Sequence, residues 1–277
     1  FLKDIRVFED TIIVVISDNG ASAEGDENGT WNMLKHYNGV RATLEENLKH
    51  LDDWGGPTTH NHYPAGWAMA GNTPLKYYKT WLHAGGVKTP LIIHYPKAIR
   101  QGGGIRRQYH HVIDVVPTVL ELIGIDPPEF IRGVKQQPLH GVSMTYSFDD
   151  AEAESRRETQ YYEMVGHRAI YHKGWKAVTN HRPGSGYEED RWELYHVERD
   201  FSETTDLAEQ YPDKLRELIE LWWDEAEKYG VLPLDGRSLW GRLKDSFGDK
   251  GNVPVASERV FLNGTRFLRG PDLRNRS

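Results

Sequence analysis

The chain has 277 residues, with 34 Lys and Arg against 41 Asp and Glu, a net charge of −7 and no cysteine. That length fits one large domain or about two of roughly 150 residues, and the missing cysteines exclude a disulfide framework, a zinc–thiolate centre and a cysteine nucleophile within these residues. No apolar run approaches the roughly 18–20 residues that cross a bilayer, the acidic balance argues against nucleic acid as a partner, and the compartment stays open between cytoplasm and periplasm or exterior.

Thr11-Ile12-Ile13-Val14-Val15-Ile16 is an unbroken, mostly β-branched run, the pattern of a strand buried on both faces of a parallel sheet. The polar turn Ser17-Asp18-Asn19-Gly20 follows at once. Residues 21–73 lack sustained periodicity but are rich in Gly, Asn, His and aromatics, and are expected to form an ordered loop region near a site. Pro90 to Pro96 brackets a second short strand. Val112, Val115, Val116, Val119, Leu120 and Ile123 fall at helical spacing, with Asp114 as N-cap, Pro117 tolerated in the first turn and Gly124 as the stop. Strand, crossover and helix together predict an α/β sheet.

After about Thr145 the composition changes. Residues 147–158 are acidic and predicted to be an exposed connection. Arg168–Tyr171 and Trp175–Val178 flank His172-Lys173-Gly174 as a hairpin, and Trp192–Tyr195 reads as a third strand. Pro212 opens a helix carrying Leu215, Leu218, Ile219, Trp222, Trp223 and Ala226 along one side, ended by Gly230. The expected organisation is an α/β part over 1–146, a small α+β subdomain over 147–235 with its helix on an antiparallel sheet, and a tail over 236–277. The tail holds nine Lys and Arg against four Asp and Glu, which suits either a basic arm for an acidic partner or a linker.

Asp18 and Asn19 are the first chemical candidates. A carboxylate and an amide oxygen sit directly after a strand, where open α/β sheets bind ligands. Two hard oxygen donors suit Ca²⁺ or Mg²⁺; the same tetrapeptide also makes an ordinary Asx-turn. Lys79 lies six residues before Gly85-Gly86 and the second strand, where it could bind an anionic oxygen as a point charge or simply be a solvated lysine. His60 and His62 alternate on an extended segment, but no third ligand at convincing spacing supports a transition metal. His110 and His111 adjoin the predicted helix, and His111 reads as structural. No phosphate loop, Gly-x-Ser-x-Gly elbow or placed Ser or Thr nucleophile occurs.

In order along the chain, several blocks resemble the sulfatases of the alkaline-phosphatase-like superfamily. Asp10 to Gly20 looks like the family's metal-binding strand and turn. Asn72-Thr73-Pro74 through Lys79, Gly85-Gly86 and Thr89 to Pro96 resembles the next block, and His111 to Leu122 the one after. Trp192-Glu193-Leu194-Tyr195 and Glu203 to Leu207 are similar to the closing subdomain. His62 to Ala68 and Pro233 to Arg237 resemble the long bacterial arylsulfatase-like branch. The resemblance implies part of an alkaline-phosphatase-like sheet sandwiched by helices, and a segment of an arylsulfatase that hydrolyses sulfate esters to an alcohol or phenol plus sulfate. It further implies Asp18 and Asn19 as ligands of a divalent cation, usually Ca²⁺ with Mg²⁺ as the alternative, Lys79 on a sulfate oxygen, and His62 at the pocket. Ala84 stands where many members carry an acidic residue. The family's nucleophile is formylglycine, made in a Cys/Ser-x-Pro-x-Arg motif that this sequence lacks. The chain, which opens at Phe1 with its first methionine at Met33, is therefore expected to be an internal segment, inactive alone and in need of a missing N-terminal half. The alternatives are a phosphatase or phosphonate monoester hydrolase of the same superfamily, and a non-catalytic relative that binds anions or a partner chain.

Overall fold

The computed structural model describes residues 1–237 and Val255–Ala256. The chain divides into two compact units, residues 1–17 with 90–160 and residues 18–89 with the chain from 161 onward.

In the first unit β1 (Ile13–Ile16) pairs with β2 (Leu91–His94), with Ile13 opposite His94 and Ile16 opposite Leu91. The pairing is antiparallel, not parallel, and Val15, Ile16 and Ile92 are exposed. The expectation of a strand buried on both faces therefore does not hold among the described residues. The two-stranded ribbon leaves the consecutive Val15 and Ile16 uncovered on both faces, and an apolar run cannot by itself specify which partners cover it. α5 (Val115–Ile123) ends at Gly124 in the left-handed conformation, which glycine adopts without a Cβ penalty. Pro117 sits in the first turn, as expected.

Asp114 occupies the N-cap position of α5 but makes no side-chain capping bond there. Its carboxylate accepts from the backbone N–H of His111 and of Val142 and from the Arg157 guanidinium, all in a fully buried position. Burial works to raise its pKa; hydrogen bonds from His110, Arg157 and the two backbone N–H groups outweigh it and hold the carboxyl far below the usual carboxylate range. Arg157 is itself buried, as are Ser147 and Phe148, so the segment over 147–158 is anchored near both ends, with exposed residues between the anchors and at Glu158. The minimal hairpin β3 (Phe130–Ile131) and β4 (Val134–Lys135) turns through Arg132 and Gly133, both at positive φ, the two-residue turn that matches strand twist.

In the second unit four strands, β5 (Thr159–Met164), β6 (His167–His172), β7 (Trp175–Thr179) and β8 (Trp192–His196), form one sheet in sequential order. Lys173 and Gly174 supply the expected tight hairpin turn, both at positive φ. Side-chain alternation gives the sheet two faces. Ile170, Ala177 and Leu194 lie opposite one another across three strands and are buried with Leu218, Trp222, Trp223 and Ala226 of α6 (Pro212–Lys228). Ala169, Val178 and Tyr195 belong to a second buried cluster with Leu82, and Glu193, opposite Val178, shares that face.

The segment over residues 21–73 holds three short α-helices: α1 (Met33–Tyr37), α2 (Leu44–Lys49) and α3 (Ala65–Gly71). Each is too short to show helical periodicity. Thr43 and Glu46 close a capping box on α2. The buried Asn47 accepts from Trp31 N–H and donates to the carbonyls of Asn28 and Gly29. α4 (Ala84–Val87) is a single turn. Of the predicted tail, only β10 (Val255–Ala256), paired with β9 (Leu234–Asp235), lies among the described residues past Arg237; the remainder is outside them.

Candidate functional site

The turn at Asp18–Asn19 and the segment carrying Lys79 are joined backbone to backbone. Gly20 N–H donates to Gly86 O at 3.2 Å and Lys79 N–H to Ala21 O at 2.9 Å. Asn72 braces the joint: its Oδ1 accepts from Ala21 N–H at 3.0 Å, and its Nδ2 donates to Tyr77 O and Gly85 O, both at 2.9 Å. The approach is close enough that a Cβ on Gly20 would overlap Gly85 O, and one on Gly85 would overlap Tyr77 O. Glycine is required there by space rather than by torsion angle. Tyr77 and Thr80 both hold positive φ, 62° and 83°, a region that costs a non-glycine residue of order 1–3 kcal/mol. They bracket Lys79, so its backbone is held in a course the sequence does not favour locally.

The Lys79 ammonium sits 3.1 Å from both carboxylate oxygens of Glu24, which also accepts from Ser22 Oγ at 3.1 Å. Burial pushes the Glu24 carboxyl up; the Lys79 hydrogen bond and charge, then Ser22 and the His62 ring, outweigh it and hold Glu24 ionised below its usual value. Lys79 is thus neither a freely solvated lysine nor buried. Ser22 N–H donates to Tyr63 Oη at 3.0 Å, tying this cluster to the aromatic loop. His62 is positioned by a two-way backbone bridge with Thr30, and His60 bridges Asn32. His110 and His111 belong to the first unit.

Asp18 is exposed, and its Oδ1 accepts from Asn19 N–H at 3.0 Å, while Asn19 Nδ2 donates to Gly20 O at 2.8 Å. A carboxylate beside an amide matches a hard divalent cation in donor type and provides two of the six to eight oxygens Ca²⁺ takes. Among the described residues no three His, Asp or Glu side chains gather as a metal centre, so these two would be a partial ligand set.

A second layer of carboxylates fixes the Lys79 segment to the sheet. Glu193 Oε2 accepts from Lys76 Nζ at 2.9 Å, from the fully buried His83 ring at 3.0 Å, and from Tyr195 Oη. Burial raises the Glu193 pKa less than these three donors lower it, and the net shift is strongly downward. Glu203, also buried, accepts from Ala84 N–H at 2.8 Å and from Lys176 Nζ at 2.6 Å. At the position of Ala84 the backbone donor is therefore occupied by a carboxylate from elsewhere in the chain. Sequence reasoning did not single out Glu24 or the side chains of Asn72, Glu193 and Glu203 as parts of this frame. The one local signal was the Ser22-x-Glu24 spacing; the contacts of Asn72 with Ala21, of Glu24 with Lys79, and of Glu193 and Glu203 with the Lys79 segment cross 51 to 119 residues.

Residues 75–225 match the family described as N-sulphoglucosamine sulphohydrolase, C-terminal, and residues 1–125 match the family described as Sulfatase. The chain belongs to the sulfatase family. An uncharacterized sulfatase of Schizosaccharomyces pombe is 30% identical over 241 residues, covering 84% of this sulfatase chain and 40% of that protein. An arylsulfatase of Klebsiella aerogenes is 30% identical over 158 residues, 56% of this chain and 32% of that one. Among solved structures, Ps i-CgsB aligns with a TM-score of 0.51 and 22% identity over 82% of this chain and 38% of its own, a likeness of fold. The chain thus spans 40% or less of the length of these relatives. It is mixed α/β with a small antiparallel sheet and one long helix, as its sequence predicts.

Proposed function

We propose that this chain forms the cation-binding and sulfate-binding side of a sulfuric ester hydrolase acting on an aryl or alkyl sulfate. The observation that carries the reading is the Gly20–Ala21–Asn72–Gly85 frame, which joins the Asp18–Asn19 turn to the segment bearing Lys79. Lys79 binds a sulfate oxygen as a compact charge and offsets the negative charge that develops as the ester bond to the leaving oxygen breaks. Glu24 directs the Lys79 ammonium through their ion pair, and His62 completes the cluster beside Glu24. Asp18 and Asn19 hold Ca²⁺, with Mg²⁺ the alternative; when bound, the cation polarises the sulfate and the attacking group. The nucleophile implied by the family resemblance, formylglycine, has no precursor motif in these 277 residues, so the reading gives this chain binding and charge stabilisation and assigns the attack to residues outside it.

Titration calorimetry with 4-nitrophenyl sulfate, with and without Ca²⁺, tests this reading. Lys79→Ala removes one charge-assisted hydrogen bond of about 1.5–3 kcal/mol, so affinity for the sulfate ester should fall about 10- to 100-fold. Asp18→Ala should abolish the Ca²⁺-dependent part of binding and leave the Ca²⁺-free affinity unchanged. Wild-type affinity in Lys79→Ala overturns the reading.

A further inference from the structure

Sulfate and phosphate monoesters share a tetrahedral shape and differ chiefly in charge. A sulfate monoester carries a single negative charge at neutral pH, whereas a phosphate monoester, with its second pKa at about 6, carries close to two. Coulomb attraction grows with the charge of the ligand. A site made of a lysine and a divalent cation alone would therefore favour the dianion, and a sulfate site needs a feature that works the other way. Glu24 has the charge and the position for it. Both its carboxylate oxygens lie 3.1 Å from the Lys79 ammonium, so the pair offers N–H donors with little net charge. The Lys79 side chain is still 31% exposed, and an ammonium has three N–H donors, which leaves it able to donate to an ester oxygen while paired.

The carboxylate is built into its turn. Ser22 Oγ donates to Glu24 Oε2 at 3.1 Å and accepts from Glu24 N–H at 3.4 Å, and Ser22 N–H is anchored on Tyr63 Oη. Gly25, the next residue, lies so close to the neighbouring backbone that a Cβ there would stand 2.8 Å from Tyr63 O and 3.0 Å from His62 O. Burial works against ionisation of Glu24, yet Lys79, Ser22 and His62 together hold its carboxyl below the usual value. We infer that Glu24 is a specificity-determining residue: its carboxylate repels a second negative charge beside Lys79 and so selects monoanionic sulfate esters against dianionic phosphate esters. The inference rests on the sulfate-ester reading above. Selection of this kind works by a repulsive element against the wrong ligand, without a new contact to the right one. It also bears on turnover. Hydrolysis of a sulfate monoester by water yields the alcohol or phenol, free sulfate and a proton. Free sulfate is a dianion, so the same carboxylate favours its release.

Calorimetric titration of the full chain in Ca²⁺ buffer at about pH 8, above the second phosphate pKa, decides it. 4-Nitrophenyl sulfate and 4-nitrophenyl methylphosphonate are monoanions there, and 4-nitrophenyl phosphate and inorganic sulfate are dianions, so charge varies independently of the central atom. The variants are Glu24→Gln, Glu24→Asp and Lys79→Ala. Glu24 is 35% exposed and glutamine keeps its shape, and unchanged circular dichroism and melting would establish that the variants are folded. Glu24→Gln should raise the affinity for both dianions, relative to both monoanions, about tenfold. Glu24→Asp retains the charge and should retain the wild-type ratio. Equal changes for dianions and monoanions in Glu24→Gln overturn the inference, and so does a Glu24→Asp ratio that shifts as far as that of Glu24→Gln. Either outcome leaves the sulfate reading standing where 4-nitrophenyl sulfate binding still depends on Lys79. Wild-type affinity for that ester in Lys79→Ala, or no binding of it to the wild type, removes the sulfate reading, and this inference with it.

Discussion

Glu203 is the point at which the sheet controls the site, and its removal has a calculable cost. One oxygen holds the buried Lys176 ammonium at 2.6 Å and the other the first N–H of α4, the turn that contains Gly85 and Gly86. Truncation in Glu203→Ala leaves an ammonium in a position only 5% exposed, and breaking a buried pair from one side costs about 3–5 kcal/mol. For a chain of this size each kcal/mol lowers the melting midpoint by about 2–4 °C, so a fall near 10 °C is expected by near-UV circular dichroism. Glu203→Gln retains an acceptor for Ala84 N–H and should lose less. The decisive measurement is the double-mutant cycle with Lys176→Met, because removing both charges removes the uncompensated one. Lys176→Met/Glu203→Gln should be more stable than the sum of its single variants predicts by more than about 0.5 kcal/mol, beyond the scatter expected of independent sites. Additivity of the two, or a Glu203→Ala loss under about 1 kcal/mol, refutes the argument that this pair is desolvated and coupled.

Gly20→Ala places a methyl group into Gly85 O and should push the Asp18–Asn19 turn off its frame; loss of the Gly20–Gly86 amide protection in hydrogen exchange, with the α6 amides still protected, is the expected signature. Trp222→Ala removes a fully buried ring and leaves Tyr162 O without its 2.9 Å donor, and should cost about 3–5 kcal/mol in urea denaturation. Asp114 has a folded pKa depressed below its ordinary 3.8, so its contribution to stability is complete above about pH 4 and is lost as pH falls below it. Acid titration of stability should show that loss setting in as pH falls below about 4 and continuing down through the depressed folded value, and Asp114→Asn, less stable at neutral pH, should show a shallower slope there.

What could be read in advance divides along a physical line. α6 was legible because a proline start, a 3.6-residue stripe and a glycine stop all agree, and the β6–β7 hairpin because its turn residues carry the required positive φ. β5 was missed, since Thr159–Met164 shows no clean alternation, and β3 and β4 are two residues each. β1 was recognised as a strand but expected to be parallel-paired and buried on both faces, whereas its pairing with β2 is antiparallel and Val15 and Ile16 are exposed, because apolarity reports burial tendency and not pairing. At the candidate site, Asp18, Asn19 and Lys79 could be proposed from residue type and position. Their physical connection could not, since no sequence period links Ala21 to Asn72 or Glu24 to Lys79. Those contacts exist only through the tertiary path.

The backbone joint at Gly20 and Gly85 has a consequence for anyone wishing to move this chemistry elsewhere. The shape of the Asp18–Asn19 turn is specified mainly by a segment more than fifty residues away: by the carbonyls of Gly85 and Gly86, the amide of Asn72 and the course of the chain around Lys79. Grafting Ser17-Asp18-Asn19-Gly20 alone onto another scaffold would transplant the letters without the mould. The smallest portable unit is the pair of segments, residues 18–24 with 72–86, together with Glu193 and Glu203 to hold the second in place.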